Sequence, residues 1–533
     1  MNQTLENIKH HLSDQLTFLL PRILTHVCRD ETSFAYGSFD RDYWHYKIRD
    51  FSSVILQQGG YALYIAGQHP HFYANKGELN TLAKASCLFW LKRATAFRAF
   101  EEYYPWEEGY PPLAFSTLAV VKLIDAGIVQ ANKMFAGIAV STKQLIKRFE
   151  AGAANQQIAG LAALAWIKKL YPDLITHQQF EKQVLNSLDL QRDEGWFMEY
   201  GGPDLGYLSV TLDCLWDLYD ATGDKRFLLA ANKALLFLSE CVLMGEGSLG
   251  MCQARNTDYI VPYGIIRFIK ACDDHAQLAS EVFLTLFLSI NKPHHFLYAI
   301  DERYLLHYIG HSFFRALLLL TDIHHLPSGK ATYLTERLYQ QAGIYLTKTD
   351  SHSFSLALNK GGVFLIKTGD RYAADYGWIV KSSGFLWITH WWLSNGLKWK
   401  KESNRFLIDC YLVRHKEIHG TPLKHTALRI LSFLLGSYLI RQLKKRFIFS
   451  KKSSHLYFHR EIICCNKEFI VKDTIDKLPK NAKIIRAGRS SKRHVASSDN
   501  FHLEDLALIQ GIKRMESIDQ VKGQFIAETR YIF

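Results

Sequence analysis

Residues 194–207 concentrate side chains that could do chemistry on a sugar. Within fourteen positions they combine four glycines with the acids, phenols and indole of Glu194, Trp196, Glu199, Tyr200, Asp204 and Tyr207. Glycine lets the backbone approach a ligand closely, acids and phenols transfer protons, and an indole offers a flat surface for a sugar ring. An apolar, helix-like run follows directly. We interpret the segment as the floor of a carbohydrate cleft. A glycine-containing turn between two helices is the alternative.

Two carboxamides, Asn155 and Gln156, begin an alanine-rich helical pattern. At a helix start they can simply cap the first turn. A carboxamide can also donate hydrogen bonds to a uronate carboxylate and so stabilise the enolate that forms when the C5 proton leaves. Both interpretations stay open at this stage.

The polar loop at residues 252–263 contains Arg255 four positions before Tyr259. A guanidinium close to a phenol favours the phenolate and lowers the tyrosine pKa. This spacing therefore suggests a tyrosine base at Tyr259 with Arg255 beside it. A surface turn without chemistry is the alternative.

Two further segments could bind a substrate. In residues 40–50, Arg41, Trp44 and His45 share one helical face, where an arginine could hold a sugar carboxylate by paired hydrogen bonds. The alternative is a salt-bridge network that clamps the N-terminal segment. In residues 103–112, Trp106 could stack on a sugar and Glu107 could act as an acid or base, although the prolines there also suit a structural turn.

The elements that must position these side chains change character near residue 342. Before it, apolar residues recur at helical spacing, and helices are expected over 82–100, 115–126, 156–171, 210–221, 225–243, 262–271 and 278–288. After it, alternating residues predict strands over 343–349, 353–358, 363–366, 406–413, 456–458, 462–465 and 469–474. We therefore predict an α+β chain with a helical toroid, an incomplete (α/α) barrel, at 1–341, and an antiparallel β domain at 342–533.

A basic helix is predicted inside the β domain at about 423–447. Its apolar part, 427–440, is too short to cross a bilayer and is followed by the basic run 441–446. Such a helix can lie on an anionic membrane or dock on its own β-sheet, and we favour docking on the sheet.

Charge and cysteine content narrow the possible partners and compartment. The net charge is +13, and residues 398–493 hold 24 Lys and Arg against 7 Asp and Glu. This asymmetry suggests an anionic partner, and solvated surface lysine is the alternative.

Nine cysteines without a CxxC pair fit a reducing cytoplasm, and the N-terminus does not resemble a secretory signal. Phosphate-loop and GxSxG motifs are absent from the sequence, and we expect no metal and no cofactor.

Residues 199–207 (EYGGPDLGY) and the opening of the β domain at 342–367 resemble heparinase II/III-like proteins and, more broadly, the (α/α)-toroid polysaccharide lyases. Residues 37–51 resemble uncharacterised relatives in bacterial surface-polysaccharide clusters. The resemblance implies eliminative cleavage of a uronate-containing glycan. It implies that Asn155 neutralises the uronate carboxylate and that Tyr200, Tyr207 or Tyr259 is the phenol that transfers the proton. Where these lyases carry an HxHxD-like pattern, this sequence offers His352 alone.

Three functions remain open from the sequence. A lyase would use the residues just named, with substrate contacts from Arg41, Trp44, His45, Trp106, Glu107, Gln156, Trp196, Asp204 and Arg255. A glycoside hydrolase would pair Glu199, Asp204 and Glu107. A non-catalytic protein would bind glycan within a surface-polysaccharide assembly complex. We expect an acidic polysaccharide as partner, no nucleic acid, and a cytoplasmic location with peripheral contact to the inner membrane as an option.

Overall fold

The structure is a computed structural model of the 533-residue chain. It describes residues 2–96, 100–271, 275–292, 295–327, 335–369, 371–382, 384–415, 419–444, 446, 452–465, 468–488, 512–519 and 522–532. Residues 97–99, 445 and 447 of the predicted helices lie outside the described residues.

Helices build the N-terminal part of the chain. They are α1 Asn2–His26, α2 Arg41–Trp44, α3 Gln58–Ala66, α4 Lys76–Thr95, α5 Tyr110–Asp125, α6 Ala131–Lys147, α7 Ala154–Leu170, α8 His177–Leu188, α9 Leu205–Thr222, α10 Lys225–Gly245, α11 Tyr263–Ala271, α12 Ala276–Phe287, α13 Glu302–Tyr304 and α14 Gly310–Thr321. Short 3-10 turns lie at Val54–Gln57, Pro70–Asn75, Pro172–Leu174, Gly250–Cys252 and Phe296–Tyr298, and a π-helical turn at Leu305–Ile309.

Six of these helices form the inner ring of a toroid. Helix α3 packs on α5, α5 on α7, α7 on α9, α9 on α11, α11 on α14, and α14 returns to α3. In α9 every residue from Leu205 to Leu218 is buried, as expected for a helix that is surrounded on all sides. Among the outer helices, α4 packs on α6, α8 on α7 and α10 on both α9 and α12.

Local signals set the helix ends. Gly223 ends α9 in a left-handed conformation with φ 67°, and the Asp224 side chain accepts the backbone N–H of Arg226 to start α10. Only glycine adopts this conformation without a steric cost, and aspartate is a favoured N-cap. Among the described residues, only α10 is long and apolar enough to cross a membrane, and most of it is buried inside the toroid.

Antiparallel strands build the C-terminal part. They are β1 Glu336–Tyr339, β2 Ile344–Lys348, β3 Ser353–Ala357, β4 Val363–Thr368, β5 Arg371–Asp375, β6 Trp378–Ser382, β7 Phe385–Ile388, β8 Lys398–Glu402, β9 Arg405–His415, β10 Ser453–Cys464, β11 Glu468–Asp476, β12 Lys483–Arg486, β13 Ile512–Asp519 and β14 Gln524–Ile532. A 3-10 turn, Leu358–Lys360, joins β3 to β4.

The strands form two sheets. The first has the order β1-β2-β3-β4-β5, and the second has the order β12-β6-β7-β9-β10-β11-β14-β13, with β8 paired to β9. Apolar side chains of both sheets, including Phe354, Phe364, Ile408 and Phe469, pack between them. The predicted α+β architecture, a helical toroid followed by an antiparallel β domain, is confirmed, whereas the boundary at 341/342 stays a prediction.

The described part of the basic insertion between β9 and β10 contains two helices, α15 Pro422–Leu435 and α16 Ser437–Leu443. Among its described residues, the contacts identified are with the toroid, whereas we favoured docking on the β-sheet. Arg429 pairs with Asp50 at 2.7 Å and the ring of Phe433 packs edge-on against Trp106. The correction has a physical reason, because the insertion finds complementary acids and aromatic rings on the toroid loops.

Candidate active site

Three loops at one end of the toroid are joined by backbone hydrogen bonds. Ala154 N–H donates to Met198 O at 3.0 Å, and Tyr200 N–H donates to Gly152 O at 2.7 Å. Ala254 N–H donates to Pro203 O at 2.9 Å. The start of α7, the loop before α9 and the loop before α11 therefore form one unit that carries most of the predicted site residues.

The β domain closes against this unit. The Trp392 indole donates to Gly201 O at 3.0 Å. The Glu194 carboxylate accepts the backbone N–H groups of Gln341 and Ala342, both at 2.9 Å. The candidate site thus lies at the junction of the toroid and the β domain.

Asn155 and Glu199 form a buried pair in the floor of the site. One carboxylate oxygen of Glu199 accepts the Asn155 backbone N–H at 2.7 Å and its side-chain amide at 2.8 Å. The other oxygen, Oε2, has no hydrogen-bond partner. Burial raises the Glu199 pKa to about 8, against the effect of the two Asn155 bonds. A pKa of about 8 favours the protonated form of Glu199 at neutral pH, and its carboxyl oxygen holds the buried carboxamide of Asn155 in place.

Tyr200 is the half-buried phenol beside this pair. Gln156 Nε2 donates to its hydroxyl at 3.3 Å, and the Arg255 guanidinium lies 3.9 Å from the centre of its ring. Tyr200 has φ 54°, an uncommon conformation for a residue with a side chain. The four side chains Asn155, Gln156, Tyr200 and Arg255, which are dispersed over a hundred residues of sequence, are thus brought together.

A basic cleft of about 680 Å³ opens between α16 and the end of α6. Its lining includes Lys147, Arg148, Arg441 and Lys444, with Glu150 as a counter-charge. Lys444 pairs with Glu150 at 2.7 Å. Burial opposes the charge on Lys444, yet Tyr200 and Glu150 nearby raise its pKa above the usual value. Lys444 therefore connects the cleft to the Tyr200 site.

Arg148 gives the cleft an unsatisfied donor. Its Nη2 donates to Glu108 O at 2.7 Å, while its Nη1 has no hydrogen-bond partner. Burial, together with the neighbouring Arg441, lowers the Arg148 pKa, opposed by Tyr110 and the two glutamates. A buried guanidinium N–H without an acceptor is costly, so an anionic group in this cleft is favoured.

The expectation that Arg255 activates Tyr259 is wrong. Tyr259 is fully buried, and its hydroxyl hydrogen-bonds the hydroxyl of Tyr308. Burial first, and then the neighbouring phenols Tyr308 and Tyr207, raise the Tyr259 pKa well above its ordinary value. Because the loop is irregular, a spacing of four residues does not place Arg255 beside Tyr259. The Arg255 guanidinium lies over the Tyr200 ring instead. Tyr207 is itself buried, in the first turn of α9.

Asp204 and Trp196, which we expected to bind substrate, are both buried. Asp204 is the N-cap of α9, and its two oxygens accept the backbone N–H groups of Tyr207 and Thr257, each at 3.1 Å. Trp196 is 3% exposed in the toroid core, and its indole donates to Glu194 at 2.9 Å. Asp204 therefore stabilises the loop fold, and Trp196 offers no open face for a sugar ring.

Glu107 and Trp106 form a separate loop beside the insertion. Glu107 accepts the Tyr103 N–H at 2.8 Å, and burial, with Glu102 nearby, raises its pKa to about 8. Trp106 packs on Phe433 with ring centres 5.3 Å apart. The hydrolase hypothesis is not favoured by this arrangement, because Asp204 is a helix cap and the interactions of Glu107 lie within its own loop.

Arg41, Trp44 and His45 secure the N-terminal segment. Arg41 donates to Thr25 O at 3.0 Å and Trp44 to His26 O at 2.8 Å, at the end of α1. His45 is exposed and packs edge-on against Trp44. These contacts hold the segment against α1 by hydrogen bonds to backbone carbonyls and not by the salt-bridge network that we weighed as the alternative. No contact among the described residues joins the three side chains to Tyr200.

His352 lies in the turn before β3. Its ring packs against Phe469 with centres 5.6 Å apart, and its Nδ1 lies 3.0 Å from the Ser351 hydroxyl. Partial burial lowers its pKa. These neighbours belong to the β domain, so the structure does not bring His352 together with the residues around Tyr200.

Sequence reasoning missed two side chains at the domain junction. Buried Lys360 donates to Met251 O at 2.8 Å and to Gln253 O at 2.7 Å, and so holds the loop that carries Arg255. His390 is buried, neither ring nitrogen has a hydrogen-bond partner, and burial lowers its pKa to about 3. The charged residue in the Lys-Gly-Gly turn at 360–362 was the available signal for Lys360. Within the described ranges, three or more His, Cys, Asp or Glu side chains do not converge into a metal-binding group.

Comparison with known proteins shows the fold. A scan against protein-family models and a search of curated proteins find no match. Among solved structures, the Streptomyces coelicolor A3 chondroitin AC lyase, in complex with chondroitin sulphate, is similar at 9% identity and TM-score 0.51, over 100% of this chain and 77% of that chain.

Two further structures have lower scores. A Paenibacillus xanthan lyase is 10% identical with TM-score 0.47, over 88% of this chain and 46% of that chain, so this chain spans less than half of its length. The Pedobacter heparinus heparan sulfate lyase HepC is 10% identical with TM-score 0.39, over 89% of this chain and 73% of that chain. The chain therefore shares the fold of the chondroitin AC lyase, and the fold that the resemblance implied, a toroid followed by a β domain, is confirmed.

Proposed function

We propose that this protein cleaves an acidic, uronate-containing polysaccharide by β-elimination at the Tyr200 site. The observation that carries the proposal is the convergence of Asn155, Gln156, Tyr200 and Arg255 around one half-buried phenol at the toroid–β junction. The chondroitin AC lyase, which shares this fold, supports it as a precedent. A basic cleft beside the phenol supports an anionic substrate.

The chemistry divides among these side chains as follows. The free amide hydrogen of Asn155 hydrogen-bonds the uronate carboxylate, which lowers the cost of forming the enolate. In this scheme the deprotonated Tyr200 oxygen takes the C5 proton, and Arg255 lies over the Tyr200 ring. The C4–O4 bond then breaks, a C4–C5 double bond forms, and Tyr200 returns its proton to the leaving oxygen. Atoms and electrons balance without a further reactant.

Protonated Glu199 holds Asn155 in this scheme. Its carboxyl group accepts both Asn155 donors, so the carboxamide cannot rotate away from the site. A neutral Glu199 also avoids repulsion between two carboxylates when the uronate enters. Glu199 is thus a positioning residue and makes no proton transfer to the sugar.

The basic cleft would hold a second anionic group of the polymer. Arg148 supplies an unpaired Nη1, and Lys147 and Arg441 line the same space. Arg441→Glu should therefore raise KM for a polymer much more than it lowers kcat, because it acts on binding away from the reacting carbon. The cytoplasmic location and the surface-polysaccharide context stay predictions.

The test is incubation with a panel of uronate polysaccharides while near-ultraviolet absorbance is followed. An unsaturated product should appear with the wild-type protein, and Tyr200→Phe should lower the rate by about 10²-fold or more. Tyr259→Phe is the matched control, since it removes a phenol that is buried against Tyr308; with folding intact it should keep the rate.

Three outcomes would contradict the proposal. Full activity of Tyr200→Phe would remove the assigned base. New reducing ends without absorbance would show hydrolysis in place of elimination. Saturable binding of uronate polymers without any product would favour a glycan-binding protein.

A further inference from the structure

Helix α15 contacts the toroid through one of its faces. His425, Arg429 and Ser432 recur at spacings of four and three residues and so share that face. His425 lies with its ring centre 6.2 Å from that of Tyr104, Arg429 pairs with Asp50 at 2.7 Å, and Ser432 is buried. The helix therefore has a defined orientation on the protein.

The opposite face of α15 is apolar and open to solvent. Leu423, Ala427, Ile430, Leu431 and Leu434 recur at spacings that place them on one stripe, and all of them are exposed. Leu423 is 80% exposed and Leu434 is 62% exposed. A continuous exposed row of large aliphatic side chains is unusual on a protein surface and marks an interaction site.

The charge around this stripe has one sign. Residues 421–446 contain six Lys and Arg and no Asp or Glu. Arg429 forms a salt bridge with Asp50, and Lys444 forms one with Glu150. The segment 421–446 itself supplies no carboxylate to Lys424, Arg441 and Arg446. The partner of the stripe must therefore be apolar at its centre and negatively charged around it.

We propose that α15 is an interfacial helix that docks the protein on an anionic lipid surface, with the stripe inserted among the acyl chains. With 14 residues it is about 21 Å long, so it lies along the surface and does not cross it. Aliphatic residues on one face, with basic residues beside them, are what such helices use. A second copy of this chain fits less well, because two basic surfaces would repel each other.

The test is flotation of the full-length protein with vesicles of phosphatidylcholine alone or mixed with phosphatidylglycerol. The wild type should float with the mixed vesicles, less with pure phosphatidylcholine, and less in high salt. The double variant Ile430→Asp/Leu434→Asp should bind the mixed vesicles at least about tenfold more weakly, because it puts charge into the apolar stripe.

Leu229→Asp is the matched control, because Leu229 on α10 is also 62% exposed but lies far from the insertion in sequence. It should float like the wild type. Thermal unfolding checks that all variants are folded. We expect them to be folded because the substituted side chains are exposed. The double variant should not change the rate of elimination on a soluble polymer. The flotation test therefore gives its answer whether or not the protein is a lyase.

Several results would overturn the proposal. Equal flotation of the wild type and the double variant would show that the stripe does not insert. Equal binding to neutral and anionic vesicles would remove the preference for anionic lipid. A wild-type dimer that the double variant dissociates, together with no flotation, would assign the stripe to a second copy.

Discussion

Glu199→Gln should make the folded protein more resistant to rising pH. The Glu199 pKa is raised to about 8 in the folded protein by burial, against a reference value of 4.5. Glutamine has the shape of the protonated acid and keeps an oxygen to accept both Asn155 donors, but it cannot ionise. The substitution therefore removes one titration and leaves the packing intact.

The expected magnitude follows from proton linkage. Between the unfolded and the folded pKa, the folded state holds one proton more than the unfolded state, so the unfolding free energy falls as pH rises. The slope for one group is about 1.4 kcal/mol per pH unit, and the loss levels off above the folded pKa. From about pH 6 to about pH 7.5, Glu199→Gln should thus gain about 2 kcal/mol on the wild type.

The assay is urea denaturation of both proteins at several pH values, taking the first transition because a chain with two domains need not unfold in one step. Glu107 and Asp213, whose pKa values burial also raises, are present in both proteins and cancel in the difference. Glu78→Gln, on the exposed part of α4, controls for the amide itself. A difference that stays constant with pH would show that Glu199 is ionised in the folded state, and the positioning argument for Asn155 would fail.

Three further substitutions probe the domain junction. Gly202→Ala should destabilise the junction by about 1–3 kcal/mol, because a Cβ would lie 2.2 Å from the Trp392 ring, and thermal unfolding measures this. Lys360→Met should lower the unfolding temperature and speed proteolysis of the loop at 250–257, since two carbonyls and Asn256 lose their donor. Arg255→Lys should lower kcat in the elimination assay by about tenfold or more with little change in stability, because an ammonium covers the Tyr200 ring less fully. An unchanged unfolding temperature for Gly202→Ala or Lys360→Met, or an unchanged kcat for Arg255→Lys, would contradict the role assigned to that residue.

Regular elements could be predicted from sequence because their signals are local. Each predicted helix overlaps an observed one, as with 225–243 and α10, Lys225–Gly245. The alternating run 406–413 lies within β9. The run 456–458 and the first three residues of 462–465 belong to one long strand, β10, which ends at Cys464. Short strands such as β5 and β12 were missed because their own residues alternate weakly, and β12 in addition pairs with the distant β6.

The site could be predicted only in part because its geometry is set by distant contacts. Asn155, Tyr200 and Arg255 were chosen for their chemistry, and the structure does bring them together. The pairing of Arg255 with Tyr259 was wrong because neighbours in an irregular loop have no fixed orientation. Trp196 was misjudged because composition does not distinguish a buried indole from an open one.

The insertion also interrupts the hairpin of β9 and β10, whose pairing shows a register shift between Ser453 and Tyr457, next to the insertion. Arg414 N–H donates to Lys452 O at 2.9 Å, so the chain leaves the sheet and returns to it at neighbouring positions. Joining such ends by a short turn costs little loop entropy. The length of the insertion therefore places little demand on the β9–β10 pairing, whereas removing α16 would also remove Arg441 and Lys444 from the basic cleft.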